Sequence, residues 1–536
     1  MKILSVEQIR QLERRTIAQF GIPSLSLMEK AGEGVAGVVV ETLKKRDRQN
    51  SDPVVGIFTG KGNNGGDGFA AAYFLAREGI KSIVSALYPS KDLSQDALHF
   101  FRKAKTCKEI KILDASTVAS LEKYAGRIQG CPVLIDAILG TGFAGQPKGI
   151  VAEAIDRINQ LSQAATMIAV DIPSGLDATT GKAGKAVTAD CTVTMGFCKS
   201  GFLLENAMNH VGSLRVVDIG IPRELSDALP VTQHLLDSEM IAPLLPRRAR
   251  ISHKGNYGHL LIVAGSLGMS GAAILCARAA LRSGSGLVTV ACPASVQHIV
   301  AQGCAEAMTL GLPETSDQTI AASAMDVLSE ALKNGKYHAM ALGPGLGRHK
   351  ETQEFVIQAL LRLDIPTVLD ADGLYAVAHT PFDLRKVKCK KLVITPHLGE
   401  FASLLGRSNE AADKEGRYSD LWGNILIFAQ QSGAIVVLKQ HITCINDGKS
   451  GDFISFDGNP GMATAGMGDA LSGMIGSFLG QDLSPLDAAK AAVFIHGRAG
   501  DAASTHKGTY GLITSDVIEA IPQAIMDLLM RRRINS

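Results

Sequence analysis

The chain has 536 residues, 46% hydrophobic and 20% charged, too long for one ordinary core and typical of a globular protein of two or three domains. Its 54 basic and 52 acidic side chains leave a net charge of +2, which favours neither nucleic acid nor a membrane surface as partner. Nine cysteines without a C-x-x-C pair argue against a disulfide frame or zinc site and point to reduced thiols in a cytoplasmic protein.

Met1 to Phe20 carries Glu7, Arg10, Glu13, Arg14 and Arg15 among apolar positions, so an amphipathic helix is expected there, not a signal peptide. Pro53 to Thr59 reads as a strand, followed by a glycine loop, a helix over Phe69 to Glu78 and a strand over Ser82 to Tyr88, a βαβ unit. Further strands are expected at Val133 to Ile135, Met167 to Val170, Thr192 to Met195 and Leu214 to Asp218. Around Ile219 to Arg250, with Pro222, Pro230, Pro243 and Pro246, the pattern breaks, which divides the chain into domains 1–225 and 226–536. The second half restarts with a strand at His259 to Ala264 and a helix at Gly271 to Ser283. Strands follow at Leu287 to Ala291, Ala339 to Leu342, Thr367 to Asp370, Leu392 to Ile394 and Val436 to Leu438, with helices at Thr352 to Leu363 and Leu421 to Gln431. A β-rich piece, Thr443 to Asp457, precedes the loop Gly466-Met467-Gly468-Asp469, which opens a further helix. No run of about 18 apolar residues suggests a membrane span.

Three strands of the first half end in glycine-rich turns that carry an aspartate: Gly60 to Gly68, Asp136 to Gly145, and Asp171 to Asp177. In an open parallel sheet such strand ends line the ligand crevice, so the turns should converge. The first turn lacks both the Lys-Ser/Thr of the common phosphate loop and the G-x-G-x-x-G fingerprint. Alone, each aspartate reads equally well as a helix or turn cap; three at strand ends favour a site, and oxygen-rich turns suit a hard cation.

Asn63-Asn64-Gly65-Gly66-Asp67, Asp136 with Gly140 to Gln146, and Asp171-Ile172-Pro173-Ser174-Gly175 resemble the motifs of NAD(P)H-hydrate epimerases. The resemblance runs to about residue 220 and implies a Rossmann-like three-layer domain that interconverts the R and S forms of NADHX and NADPHX, nucleotides hydrated on the nicotinamide ring. It implies nucleotide contacts from Asn63, Asn64, Gly65, Gly66, Asp67, Gly140, Thr141, Gly142, Phe143, Ala144, Gly145, Gln146 and Asp171, and a potassium ion held by Asn64, Asp136 and Ser174. Epimerisation through loss and readdition of water calls for a carboxylate near the ring; Asp171 is the candidate and Lys199 a weaker one.

In the second half, the glycines of Gly466-Met467-Gly468 suit close approach of an anion at a helix start, where Asp469 would repel phosphate unless it accepted a proton from an attacking hydroxyl; taken alone, it reads equally well as a helix N-terminal carboxylate facing solvent. Gly343 to Gly347, Asp370 to Leu374 and Thr395 to Phe401 end other strands. Taken alone, His397 reads as a turn residue and Asp370 as a cap. In this order, over about residues 235 to 530, the pieces resemble the ribokinase-like NAD(P)H-hydrate dehydratases. The fusion order is that of bifunctional bacterial NAD(P)H-hydrate repair enzymes. The resemblance implies Asp469 as catalytic base, Gly345, His397 and Asp469 as NAD(P)HX contacts, and Lys439, Gln440, His441, Ile442, Thr443, Gly466, Met467 and Gly468 as the ADP site. ADP would yield AMP and phosphate, with magnesium on its phosphates. Met467 stands where many relatives have threonine, and its backbone N–H can still serve the anion. The partners expected are NADHX, NADPHX and ADP, with no nucleic acid or membrane, in a cytoplasmic homo-oligomer. A vitamin-alcohol kinase fits the second half alone but leaves the first without purpose, and a non-enzymatic scaffold has no need of Asp67, Asp136, Asp171 and Asp469 together.

Overall fold

Alternating apolar strands and helices give two α/β units in the computed structural model, which describes residues 1–46, 52–333, 337–406 and 421–534. One unit is Lys2–Val231 and the other Met1 with Thr232–Ser536, so the division falls between 231 and 232.

In the first unit, strands β1 (Val54–Thr59), β2 (Lys81–Ala86), β3 (Ile110–Asp114), β4 (Val133–Ala137), β5 (Thr166–Val170), β6 (Cys191–Met195) and β7 (Ser213–Val217) form one parallel sheet. Its order is β3-β2-β1-β4-β5-β6-β7, and the chain reverses direction across the sheet between β1 and β4. Alternate residues face opposite layers. Val55, Ile57, Val133 and Ile135 pack with helices Ser24–Arg46 and Asn63–Arg77, while Phe58, Leu134 and Met167 pack with helices Val118–Ile128 and Ile150–Leu161. The result is the three-layer Rossmann-like arrangement. The expected amphipathic helix runs Val6–Phe20 after a short strand, Ile3–Leu4, and is capped by Ser5 and Gln8.

The Asn63–Asp67 segment differs from expectation. It is no loop: Gly62 is the cap and Asn63 begins a helix reaching Arg77. Glycine is a poor helix former, but here bare backbone is required. A Cβ at Gly65 would collide with the Gly60 carbonyl, and one at Gly68 would press on Ala137.

The second unit holds β8 (Gln233–Leu235), β9 (His259–Val263), β10 (Leu287–Pro293), β11 (Met308–Leu312), β12 (Ala339–Leu342), β13 (Thr367–Leu369), β14 (Leu392–Ile394), β15 (Ile435–Leu438), β16 (Thr443–Asn446) and β17 (Asp452–Ser455). The order is β8-β17-β16-β15-β14-β13-β12-β9-β10-β11, parallel except where β16 meets β15 and β17. Leu260 and Ile262 face helices Ser270–Arg282, Met467–Gly480, Pro485–Lys507 and Thr514–Ile534. Leu261 and Val263 face helices Lys350–Arg362, Asp372–Ala378 and Leu398–Leu404 on the other side. Helix Met467–Gly480 is buried throughout except at Gly468 and Asp469, in its first turn. None of the described helices is long and apolar enough to cross a membrane.

Candidate functional sites

Strands β1, β4 and β5 are neighbours, so the three aspartate-bearing turns meet at their C-terminal ends. Asp136, at the end of β4, is completely buried. Its Oδ1 accepts from Ser174 Oγ (2.6 Å) and Ile138 N (3.2 Å), and its Oδ2 from Ser174 N (2.7 Å). Leu139 N in turn donates to Ser174 Oγ (2.8 Å), and Asn64 Nδ2 donates to the Leu139 carbonyl (2.9 Å). Asn64, Asp136 and Ser174 thus form one oxygen-rich knot. Burial pushes Asp136 up to about 6 although the Ser174 and Ile138 hydrogen bonds favour its ionised form. Asn64 Oδ1 is buried without a hydrogen-bond partner. The knot has an orphaned acceptor, and no basic side chain among the described residues pairs with its buried carboxylate.

A second cluster surrounds Asp171, whose φ of 64° is unusual for a side-chain-bearing residue. Its carboxylate accepts from Lys199 Nζ and from Met195 N (3.1 Å). Lys199 is only 1% exposed and also donates to Thr194 Oγ1, so this lysine is no surface charge. Burial raises Asp67 well above the ordinary aspartate value, and the charges of Asp171 and Glu13 add to this. Glu13, on the first helix, is raised by burial and by Asp171; its place in the cluster has no signature in the sequence. Asn63 accepts from Ser94 Oγ (3.0 Å). Of the segment after Gly140, Thr141 and Phe143 are half-buried, Gly142, Ala144, Gly145 and Gln146 exposed. Arg10 Nη2 donates to the Thr141 carbonyl (2.8 Å).

In the second unit, the order reverses between β9 and β12, and loops after β12, β13 and β14 gather beside the start of helix Met467–Gly480. Asp370 does not cap a helix. It is 1% exposed, its Oδ1 paired with Lys439 Nζ (2.6 Å) and its Oδ2 accepting from Ser472 Oγ (2.7 Å). Burial opposes its ionisation, yet Lys439 and Ser472 prevail and hold it below the ordinary value. Asp469 goes the other way, pushed up to about 7 by burial and by the Asp370 charge, with Lys439 opposing. Gly466 begins the helix at φ 91° with no side-chain cap, leaving the first N–H groups free for an anion. A Cβ at Gly468 would lie 3.1 Å from Lys439 Nζ, so the glycine keeps that ammonium close to the helix start.

Lys439 continues β15, and Gln440, His441 and Ile442 turn the chain into β16, which begins at Thr443. His397 caps helix Leu398–Leu404 through Nδ1, which accepts from Gly399 N (3.0 Å) and Glu400 N (3.2 Å), and it bridges to Lys439 through the backbone. Gly345, at φ 60°, has its carbonyl held by Ser266 Oγ (2.9 Å). His496, in the helix Pro485–Lys507, is buried with Nε2 unpartnered and is lowered to about 4 by burial and by Lys439.

Two doubly wound units, each with perturbed carboxylates at the strand ends, define a two-site α/β enzyme. Residues 260–523 match the family model of NAD(P)H-hydrate dehydratase, and residues 24–201 that of the YjeF-related protein N-terminus. The bifunctional NAD(P)H-hydrate repair enzyme of Moorella thermoacetica is 37% identical over 533 residues, 98% of this chain and 97% of that one. That of Coxiella burnetii is 34% identical over 511 residues, 95% and 96% of the two chains. Among solved structures, an ADP/ATP-dependent NAD(P)H-hydrate dehydratase from Bacillus subtilis, co-crystallised with ATP/Mg2+, is 27% identical and covers 55% of this chain and 98% of its own, at a TM-score of 0.46. The chain belongs to the family of bifunctional NAD(P)H-hydrate repair enzymes.

Proposed function

We propose that the unit Lys2–Val231 interconverts the R and S forms of NADHX and NADPHX, and that the other unit returns the S form to NADH or NADPH, consuming ADP and releasing AMP and phosphate. The observation that carries this reading is Asp469: a carboxyl held near 7 in the first turn of a helix whose amides are free, beside the Asp370–Lys439 pair. A group of that strength is suited to take a proton at neutral pH. Asp469 removes the ring hydroxyl's proton, and the hydroxyl oxygen bonds to the terminal phosphorus of ADP as the bond to AMP breaks. The N–H groups after Gly466 and the Lys439 ammonium stabilise the charge on the transferring group. The ring nitrogen's lone pair then expels phosphate, and loss of a proton from the neighbouring carbon restores the double bond. Gly345 and His397 lie on the loops that would hold the hydrate, and residues 439–443 with 466–468 those that would hold ADP. Magnesium would be bound chiefly through the nucleotide phosphates, neutralising their charge.

In the first unit, Asp171 stabilises the ring cation left when water departs, Lys199 fixes its position, and Asp67, whose carboxyl burial pushes well above the ordinary value, exchanges the proton with that water. Residues 63–67 and 140–146 line the nucleotide. Asn64 Oδ1, Asp136 and Ser174 fit a potassium ion, since the unpartnered amide oxygen and uncompensated carboxylate are what a weakly hydrated cation completes. Potassium bound there supplies the positive charge that the knot lacks. Incubation with prepared NADHX and ADP or ATP, following NADH absorbance and inorganic phosphate, tests the reading. Absence of NADH with either nucleotide overturns it.

A further inference from the structure

A cleft of about 380 Å³ in the second unit is walled by Arg348, Asp372, Tyr375, His379, His397 and Glu400. It adjoins the reacting cluster. Ala371, at φ 48°, separates two aspartates that point different ways: Asp370 to Lys439, Asp372 to the cleft wall. The Asp372 charge also contributes to raising Asp469, and His397 bridges to Lys439 at the cleft's other side. A ligand with one end at Asp469 can therefore extend past His397 into this space.

The wall chemistry is specific. Tyr375 and His379 stack with ring centroids 3.8 Å apart and planes 17° apart, and the Arg348 guanidinium lies 4.3 Å from the Tyr375 centroid. These two neighbours cover both faces of Tyr375, so a planar heterocycle would stack on an outer member of the column, the His379 ring or the Arg348 guanidinium. Arg348 Nε donates to Asp372 Oδ1 (3.3 Å), but its terminal nitrogens donate to no acceptor among the described residues, and the side chain is 66% exposed. A guanidinium fork with open nitrogens matches a phosphate bidentately. A dinucleotide whose nicotinamide end reacts at Asp469 must place an adenosine elsewhere. Resting on the proposed function, we infer that this cleft seats that adenosine, and that Arg348 binds the 2′-phosphate that distinguishes NADPHX from NADHX.

The test is steady-state dehydration of the S forms of both hydrates at saturating ADP, by the full chain and by its Arg348→Gln and Arg348→Lys variants. In Arg348→Gln, KM for NADPHX should rise about tenfold with kcat unchanged, KM for NADHX should move less than about twofold, and Arg348→Lys should recover part of the loss. Adenosine 2′,5′-bisphosphate should compete with NADPHX in the parent chain and lose that potency in Arg348→Gln. Equal changes for the two hydrates, or none, overturn the inference while NADH formation by the parent chain leaves the proposed function standing. A parent chain that forms no NADH overturns both.

Discussion

Asp469 is costly to the fold in the ionised form that the proposed mechanism uses. Its carboxyl is raised from 3.8 to about 7, so the native state binds a proton that the unfolded chain has released. Stability therefore falls as pH rises from about 4 to about 7 and stays reduced above it. Asp469→Asn removes that cost, so at pH 8 the variant should melt several degrees higher while dehydration drops by at least about 10²-fold. ADP affinity, read by titration calorimetry, should hold or improve, because a charge facing the phosphates is gone. Near-normal turnover would remove Asp469 from the mechanism. In the unsubstituted chain, dehydration should fall about tenfold per unit as pH drops below about 7, since only ionised Asp469 accepts the proton. Asp370→Asn deletes a negative charge and leaves Lys439 unpaired, both of which favour ionised Asp469. The acid limb of the rate profile should move to lower pH in that variant; an unmoved limb would assign it to another group. At the other site, Asp136→Ala removes the acceptor of three hydrogen bonds, two of which tie β4 to the Ser174 turn. Epimerisation should fall about tenfold or more with dehydration of the S form intact. A wild-type epimerisation rate across potassium concentrations would refute the assignment.

Elements at the sheet centres were legible in the sequence because strands buried on both faces read as apolar runs. Of the strands with no expectation, Ile110–Asp114, Met308–Leu312 and Gln233–Leu235 are edges of the two large sheets, and Ile3–Leu4 and Cys198–Lys199 are two-residue strands that pair with each other. An edge strand is half wet, and Lys111, Gly311 or Gln233 dilutes its signal. The motif Asn63–Asp67 was visible as chemistry but not as helix, because its glycines carry tertiary information. Gly65→Ala should show this: the new Cβ strikes the Gly60 carbonyl, which is backbone and cannot swing away. The helix start would then shift off the end of β1, costing about 2 kcal/mol or more of stability and most of the epimerase activity. Thermal melting and the epimerisation rate read both effects, and an unchanged melt would mean that the helix start is more tolerant than its packing indicates. The Asp370–Ser472 contact joins residues 102 apart in sequence, and the burial of Lys199 depends on strands that no local pattern brings together. Both required the fold.

At the scale of the whole molecule, the division at 231/232 sets where the chain can be cut. A fragment beginning at Thr232 retains Gln233–Leu235, which pairs with Asp452–Ile454 and covers that edge of the sheet. It should fold, dehydrate the S form and leave the R form unconverted. A fragment beginning at Leu236 leaves Asp452–Ile454 as an open edge, paired only with Cys444–Asn446, and should melt lower and associate in size-exclusion chromatography. Equal consumption of R and S forms by the longer fragment would place the epimerase in the second unit.

The same division has a consequence for dosage. Two units in one polypeptide are translated in a fixed one-to-one ratio, so a cell cannot make more of one without making more of the other. With hydrate scarce, throughput of the R form is set by the slower unit, and transcribing the gene harder raises both capacities without changing their balance. Any adjustment of that balance has to come from mutation within one unit or from the supply of what only one unit consumes. Under the proposed function that supply is ADP, which ties the rate of repair to the adenylate state of the cell while the exchange between the two stereoisomers continues regardless.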